Sequence, residues 1–221
     1  MGQRCNTVRS IQAGSLDVVQ KMSVALLGAA LFLLLVEGNA MADTVNFDNA
    51  ATGAAPEGWT LTMTGRGQPK WTVEVESTAP SKPNVLKQSG QATFPVALRN
   101  GTSILDGFVE VKFKAIAGSE DRAAGIVWRA KDADNYYVKG VRSALDIVGR
   151  KGGYGVKVSV PSGQWHSLRC EFAGKLFKVT YDGRPMFEVA DESIRDAGMI
   201  GLWTKADSVT VFDDLTYGAL N

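Results

Sequence analysis

Cysteine and histidine are scarce in this 221-residue chain, which contains two cysteines and one histidine. Cys170 is the only cysteine beyond residue 42, so no disulfide can form within the rest of the chain. A Ser-His-Asp arrangement would have to use His166, and no G-x-S-x-G turn is present to hold its serine. One histidine and one cysteine cannot supply the usual transition-metal ligands. The sequence therefore predicts no metal site and no cofactor.

The chain also lacks a charge of one dominant sign. Its 24 Lys and Arg oppose 23 Asp and Glu, for a formal charge of +1. The first 42 residues hold three of these bases and two of these acids, so residues 43–221 carry 21 of each. Because nucleic-acid and anionic-membrane binders usually carry a basic excess, this balance argues against both kinds of partner.

Long hydrophobic runs are missing except near the start. Basic residues precede the 14-residue apolar run Ser23 to Val36, and Ala40-Met41-Ala42 follows it. This order is typical of a secretory signal peptide, and the run is shorter than the roughly 20 residues of a membrane-spanning helix. We therefore expect a signal peptide over residues 1–42, with translation starting at Met1 or Met22. Residues 43–221 would form a periplasmic or extracellular domain with no membrane span after cleavage.

Helical periodicity is nearly absent after residue 43, and two-residue alternation takes its place. His166, Leu168, Cys170 and Phe172 fall on one face of a predicted strand. A hairpin follows, in which Phe177, Val179 and Tyr181 oppose Phe187 and Val189 across Asp182-Gly183, a pair suited to a tight turn. Other predicted strands lie at 45–48, 71–75, near 85, and at 109–115, 124–129, 136–142, 155–160, 200–202 and 209–215. The residues between the first strand and residue 67 are predicted to form a surface stretch, and residues 191–196 could form a short helical turn. Many short strands without a linker predict an all-β protein, a two-sheet antiparallel β-sandwich or jelly roll.

Five segments carry a family resemblance. They are PNVLKQSG (83–90), DGFVEVKFK (106–114), AGIVWRAKDADNYYV (124–138), WHSLRCEFAG (165–174) and GLWTKADSVTVFDDL (201–215). The chain resembles the concanavalin A-like lectin/glucanase sandwich, specifically the bacterial 3-keto-disaccharide hydrolase domain family, which is related to laminin-G-like modules. The resemblance implies a secreted sandwich with a concave face on which relatives bind or cleave sugars. Between Tyr137 and Trp165 the chain departs from it, with Arg142 and Asp146 but no following Asn, and several residues fewer.

Paired carboxylates for glycoside cleavage are not evident. Glucanases of the resembled fold carry an E-x-D-x-x-E strand, whereas this chain has Glu110-Val-Lys112-Phe-Lys114, with lysines where further carboxylates belong. Glu74 and Glu76 share one face of a strand, about 6.6–6.8 Å apart, and fit a solvated outer surface better than an active site. Catalysis is thus left open.

Two acidic segments invite a structural interpretation. Asp132-Ala-Asp134-Asn135 begins like a calcium loop but lacks the glycine and the late glutamate, so we interpret it as a polar hairpin turn. Alternation places Asp213 on the buried face of the last strand, where it would cap loop amides, hold calcium or pair with a base. Cys170 on the Leu168 face is expected to be buried and inert.

An aromatic and basic set supplies the candidate ligand site. Arg129, Tyr137, Arg142, Trp203 and Lys205 lie on strands that the resemblance places together, and we predict that they bind a carbohydrate or glycoside on the concave sheet. The alternative is that half of these aromatics are core residues. The chain would be a secreted carbohydrate-associated domain, either a hydrolase of 3-keto-disaccharides or related glycosides, or a non-catalytic carbohydrate-binding or cell-envelope interaction module.

Overall fold

The computed structural model describes residues 42–141 and 158–220, and these form an antiparallel β-sandwich. Its thirteen strands are β1 (Asp43–Val45), β2 (Trp59–Gln68), β3 (Trp71–Val75), β4 (Asn84–Gln88), β5 (Gln91–Arg99), β6 (Gly107–Ala117), β7 (Ala124–Ala130), β8 (Tyr137–Val141), β9 (His166–Ala173), β10 (Leu176–Tyr181), β11 (Arg184–Ala190), β12 (Met199–Trp203) and β13 (Val209–Ala219). In these two ranges no helix has the length and apolar character needed to cross a membrane.

Two sheets make up the sandwich. The eight-stranded sheet has the order β11-β10-β9-β6-β13-β4-β3, with β1 also paired to β13, and the five-stranded sheet has the order β2-β5-β12-β7-β8. All pairs are antiparallel, and strands that are paired in a sheet are often far apart in the sequence, as β6 and β13 illustrate. The all-β sandwich predicted from the sequence is confirmed.

The main core lies between the two sheets. Leu168, Cys170 and Phe172 are fully buried, which confirms the alternation predicted for β9. Trp128 from the five-stranded sheet packs against the rings of Phe172 at 6.1 Å and Phe177 at 5.3 Å, which belong to the other sheet. Each such large apolar side chain stabilises the fold by about 1.5–3 kcal/mol on burial.

The predicted hairpin turn is also confirmed. Asp182 and Gly183 have φ angles of 47° and 72°, as a two-residue hairpin turn with two positive φ values requires. The Asp182 carboxylate accepts the backbone N–H of Ser167 at 2.8 Å and lies 2.9 Å from Nδ1 of His166. His166 is buried and its Nε2 lies 3.3 Å from the Pro161 carbonyl oxygen, so it has a hydrogen-bonded structural role.

Several local predictions were wrong or incomplete. Residues 59–68 form β2 rather than a surface stretch, because Thr60, Thr62 and Thr64 are strand-favouring residues that pair with β5. The strand β5 itself was not predicted. Residues 191–196 do not form a helical turn but a loop, in which the Asp191 carboxylate accepts the backbone N–H of Ser193. In the predicted strand 155–160, residues 158–160 are not in a strand and the rest lie outside the described residues.

Candidate functional site

Trp203 lies on the outer face of the five-stranded sheet, opposite the core-facing Leu202. Its ring lies over Gly125 and Gly140 of the neighbouring strands, where a Cβ on Gly140 would come within 2.7 Å of the ring. Phe94 of β5 stacks against it at 5.6 Å between ring centroids. Only 3% of Trp203 is exposed, so its faces are taken up by the protein itself.

The turn between β7 and β8 helps to cover this outer face. Thr64 of β2 donates a hydrogen bond to the Ala133 carbonyl at 2.5 Å, and its hydroxyl lies 2.6 Å from that of Tyr136. Because β2 and β8 are at opposite edges of the sheet, these contacts carry the turn across its outer surface. Burial raises the pKa of the Tyr136 phenol. The outer face of the five-stranded sheet is therefore covered by the β7–β8 turn at Trp203.

Arg129 lies inside the sandwich. It has a φ of 49° in β7, and only 2% of it is exposed. Its guanidinium lies over the rings of Phe172 at 5.9 Å and Phe177 at 5.6 Å. Because aromatic rings of the opposite sheet surround the guanidinium, its N–H groups need hydrogen-bond acceptors within the protein.

Those hydrogen bonds join three separate segments. Arg129 Nε donates to the Leu105 carbonyl at 2.8 Å, Nη1 to the Ile194 carbonyl at 3.0 Å and Nη2 to the Gly174 carbonyl at 2.7 Å. Nη2 also lies 3.2 Å from Oδ1 of Asp106. Arg129 thus clamps the loop ends at one end of the sandwich.

Tyr137 supports the same region. Its hydroxyl donates to Oδ1 of Asp191 at 2.7 Å and accepts the backbone N–H of Ile194 at 2.9 Å. Its ring packs on Trp128 at 5.6 Å and on Phe177 at 4.8 Å. Tyr137 is accordingly a buried residue that fixes the loop after β11.

The remaining two predicted residues have different positions. Arg142 lies outside the described residues. Lys205 is partly exposed after β12, and its ammonium lies 2.8 Å from a carboxylate oxygen of Asp121. The predicted set therefore does not form one exposed platform in the described structure, and its role in ligand binding stays a prediction. Lys205 does line a large open groove.

This groove, with a cavity volume of about 890 Å³, lies at one end of the five-stranded sheet. Its walls are the β2–β3 turn, the start of β5, and two loops around residues 120 and 205. The side chains that shape its chemistry are Arg66, Lys70, Gln91, Phe94, Glu120 and Lys205. Phe94 contributes to the groove while stacking on Trp203, so the groove adjoins the predicted Trp203 position.

Gln88, which is fully buried, holds one wall of the groove in place. Its side-chain oxygen accepts the backbone N–H groups of Gly90 at 2.5 Å and Lys70 at 3.4 Å. Its amide nitrogen donates to Thr204 Oγ1 at 3.1 Å and to the Ser208 carbonyl at 2.9 Å. One glutamine thereby connects the β2–β3 and β4–β5 turns to the loop after β12.

Asp207 holds the opposite wall. Its carboxylate accepts the backbone N–H groups of Ser119 at 2.7 Å, Glu120 at 3.0 Å and Asp121 at 3.0 Å. These donors, led by Ser119, lower the pKa of Asp207. The sequence analysis did not identify Gln88, Asp207, Arg66 or Lys70. The glycine-containing segments GRGQPK (65–70) and QSGQ (88–91) were the available signal, because each contains a turn, and both turns connect the two sheets at the same end of the sandwich.

A second cavity of about 430 Å³ lies beside the Arg129 clamp. It contains two carboxylates, both of them engaged. Asp106 accepts the Gly174 N–H at 2.7 Å and is also paired with Arg129. Glu192 lies 2.8 Å from Arg195 and 3.5 Å from Lys175. Every cation of this cavity therefore has an acidic partner.

Two further acidic predictions were tested by the structure. Asp213 is fully buried and accepts the backbone N–H and the hydroxyl of Ser81, both at 2.8 Å, which confirms the loop-capping interpretation. Burial raises its pKa. Asp132 accepts the N–H groups of Asp134 and Asn135 at 2.8 Å, as expected of a polar turn. Within residues 42–141 and 158–220, no three acidic, histidine or cysteine side chains gather as a metal site would require.

Cys170 has the environment that the sequence predicted. The thiol is fully buried between Leu168 and Phe172 on β9 and forms no disulfide. Burial raises the pKa of this thiol well above its usual range, so the reactive thiolate is suppressed. The expected burial of Cys170 is confirmed, and its inertness stays a prediction.

No protein-family model matches this chain, and a search of characterised protein sequences finds no relative. Solved structures do match in fold. The carbohydrate binding module CBM66 from Bacillus subtilis is 20% identical with a TM-score of 0.56, over 73% of this chain and 96% of that chain. The cellulose-induced protein Cip1 is 14% identical with a TM-score of 0.62, over 81% and 97%. The Emp47p carbohydrate recognition domain is 12% identical with a TM-score of 0.53, over 81% and 95%. These likenesses show a shared β-sandwich fold, consistent with a concanavalin A-like architecture, while membership of the 3-keto-disaccharide hydrolase family stays a prediction.

Proposed function

We propose that this chain is a carbohydrate-binding domain and that its saccharide lies in the groove at the end of the five-stranded sheet. The observation that carries the proposal is the combination of Phe94 with Gln91, Lys70 and Arg66 in one open groove. An aromatic ring packs on the C–H face of a sugar, while amide, amine and guanidinium groups donate hydrogen bonds to its hydroxyls. The cavity volume of about 890 Å³ suits a small oligosaccharide segment.

The fold supports the same proposal. Two of the similar structures are described as a carbohydrate binding module and a carbohydrate recognition domain, and both are covered almost completely by the match. Since fold and function are separable, the groove rather than the fold carries the assignment.

Binding without hydrolysis fits the groove better than catalysis. Glycosidases use two carboxylates, about 5–5.5 Å or 6.5–9.5 Å apart, on either side of the scissile bond. Among the groove-lining residues described, Glu120 is the single carboxylate. The second cavity has Asp106 and Glu192, but both are ion-paired and Asp106 is also bound to a backbone amide.

We also propose export of the domain, on the strength of the leader pattern over residues 1–42. An exported binding domain would meet polysaccharides outside the cytoplasm. N-terminal sequencing of the protein recovered from the periplasm or the medium should find Asp43 as the first residue, and an intact Met1 would contradict this.

The binding proposal is tested by isothermal titration of the purified protein with a panel of neutral and acidic oligosaccharides. Gln91→Ala should weaken binding of a responding saccharide about tenfold, since it removes an exposed hydrogen-bonding group without touching the core. Lys178→Ala on the outer face of β10 should bind normally. Unchanged binding by Gln91→Ala would place the site elsewhere, and release of sugar from a 3-keto-disaccharide by the wild-type protein would show hydrolysis.

A further inference from the structure

We propose that the saccharide recognised in this groove is anionic, bearing carboxylate or sulfate groups. The inference rests on the carbohydrate-binding function proposed above and narrows it to a ligand class. The relevant cations are Arg66 near the end of β2 and Lys70 in the β2–β3 turn, which both line the groove and are both exposed.

Arg66 and Lys70 differ from most cations of the described residues. On the outer face of the eight-stranded sheet, for example, Lys112 lies 2.8 Å from Asp214 and Arg169 lies 3.2 Å from Glu110. In the part of the chain that the structure describes, neither Arg66 nor Lys70 has a carboxylate within ion-pair distance. Two unmatched cations therefore lie on the same wall of one groove.

The acids around the groove do not neutralise that wall. Asp121 is largely buried and is paired with Lys205 at 2.8 Å, and the Asp207 carboxylate is directed at the backbone amides of the opposite wall. Glu120 is exposed on that opposite wall. The groove is consequently basic on its β2–β3 side and acidic on the other, which favours one orientation of a charged ligand.

The backbone of the basic wall is held in place before any ligand arrives. The N–H of Arg66 donates to Thr93 Oγ1 at 3.2 Å, and that hydroxyl donates back to the Arg66 carbonyl at 3.1 Å. The Lys70 N–H donates to Gln88, and its carbonyl accepts the Ser89 N–H at 2.9 Å. Fixed anchor points lower the ordering cost of binding.

The side-chain chemistry suits an anion more than a neutral hydroxyl. A guanidinium can donate two parallel hydrogen bonds to a carboxylate or sulfate, and a lysine ammonium adds a compact positive charge. The domain as a whole, residues 43–221, has equal numbers of acids and bases, so such binding would be local rather than a consequence of net charge.

Titration with tetragalacturonate and its methyl ester, and with dextran sulfate and dextran, tests the proposal. The acidic member of at least one pair should bind at least tenfold more tightly than its neutral counterpart, and added salt should reduce this difference. Arg66→Gln and Lys70→Gln should each weaken the acidic ligand about tenfold.

Two matched controls remove the same charge from exposed positions away from the groove. Arg184→Gln at the start of β11 and Lys82→Gln ahead of β4 should leave binding unchanged. An equal loss of binding in these controls would mean non-specific attraction and would overturn the proposal. A different result would be that the neutral and acidic saccharides bind equally well, and that this binding is lost in Gln91→Ala but kept in Arg66→Gln. That result would overturn the proposal of an anionic ligand and leave the carbohydrate-binding function intact. Failure of every saccharide to bind would overturn both.

Discussion

Replacing Arg129 by lysine separates two roles of this residue, because lysine keeps the positive charge and loses the planar fork of donors. In the structure the fork holds carbonyls of Leu105, Gly174 and Ile194, which belong to three different segments. A lysine ammonium donates from a single atom and cannot reach all three. We therefore expect Arg129→Lys to destabilise the protein although the charge is unchanged.

The magnitude follows from the lost contacts. Hydrogen bonds to a charged group contribute about 1.5–3 kcal/mol each, and two or three of the four would be lost. Water entering from the adjoining cavity would replace part of that loss, so we expect about 3–5 kcal/mol less free energy of unfolding. Urea denaturation followed by tryptophan fluorescence should show the midpoint falling by more than about 1 M.

Arg195→Lys is the matched control. Arg195 lines the same cavity, but it is exposed and is paired only with Glu192 at 2.8 Å, so its replacement should change the free energy of unfolding by less than about 0.5 kcal/mol. The contrary result would be that Arg129→Lys unfolds at the wild-type midpoint and weakens saccharide binding. That result would contradict the structural role of Arg129 and support the ligand-binding role predicted from the sequence.

Four other outcomes can be checked. Asp213→Ala should lower the free energy of unfolding by about 1–3 kcal/mol, because the Ser81 donors lose their acceptor; an unchanged denaturation midpoint would contradict its burial. Trp203→Ala should cost about 3–5 kcal/mol and lower the melting temperature, and a variant that melts normally yet fails to bind sugar would make Trp203 a ligand platform. Cys170 in the native protein should resist a bulky thiol reagent, and rapid stoichiometric labelling would show that it is accessible. Asp207→Asn should be less stable than wild type at neutral pH, and the difference in stability should narrow below about pH 4. The reason is that the lowered pKa of Asp207 stabilises the fold only while the carboxylate is ionised. A stability difference that did not depend on pH would contradict a stabilising role of the ionised carboxylate.

Strands with one fully apolar face were predictable from the sequence, and strands without one were not. The alternation from His166 to Phe172 and the Asp182-Gly183 turn are local signals, and both were confirmed. By contrast β2 alternates threonine with Leu61 and Met63, which are only partly buried at the edge of the sheet. Its strand character depends on pairing with β5, some 30 residues away, and no local pattern records that partner.

The candidate site was harder to predict because its decisive contacts are long-range. Alternation correctly separated Trp203 from Leu202 onto opposite faces, yet it could not show that the outer face is covered. That cover depends on a contact between Thr64 and Tyr136, which are 72 residues apart in the chain. Arg129 likewise bonds to segments 24, 45 and 65 residues away. An aromatic or basic residue on a strand looks the same in sequence whether it meets a ligand or another part of the fold.

The pairing of the first strand with the last has a practical consequence for how the domain can be attached to something else. Asp43 lies opposite Tyr217, whereas the loop at Lys205 that borders the groove leads into Val209 at the other end of β13. Those two ends of the strand are about 27 Å apart from the rise per residue. A tether, tag or surface support fixed at Asp43 would therefore be remote from the groove, and the binding experiments can be carried out on immobilised protein without blocking its mouth.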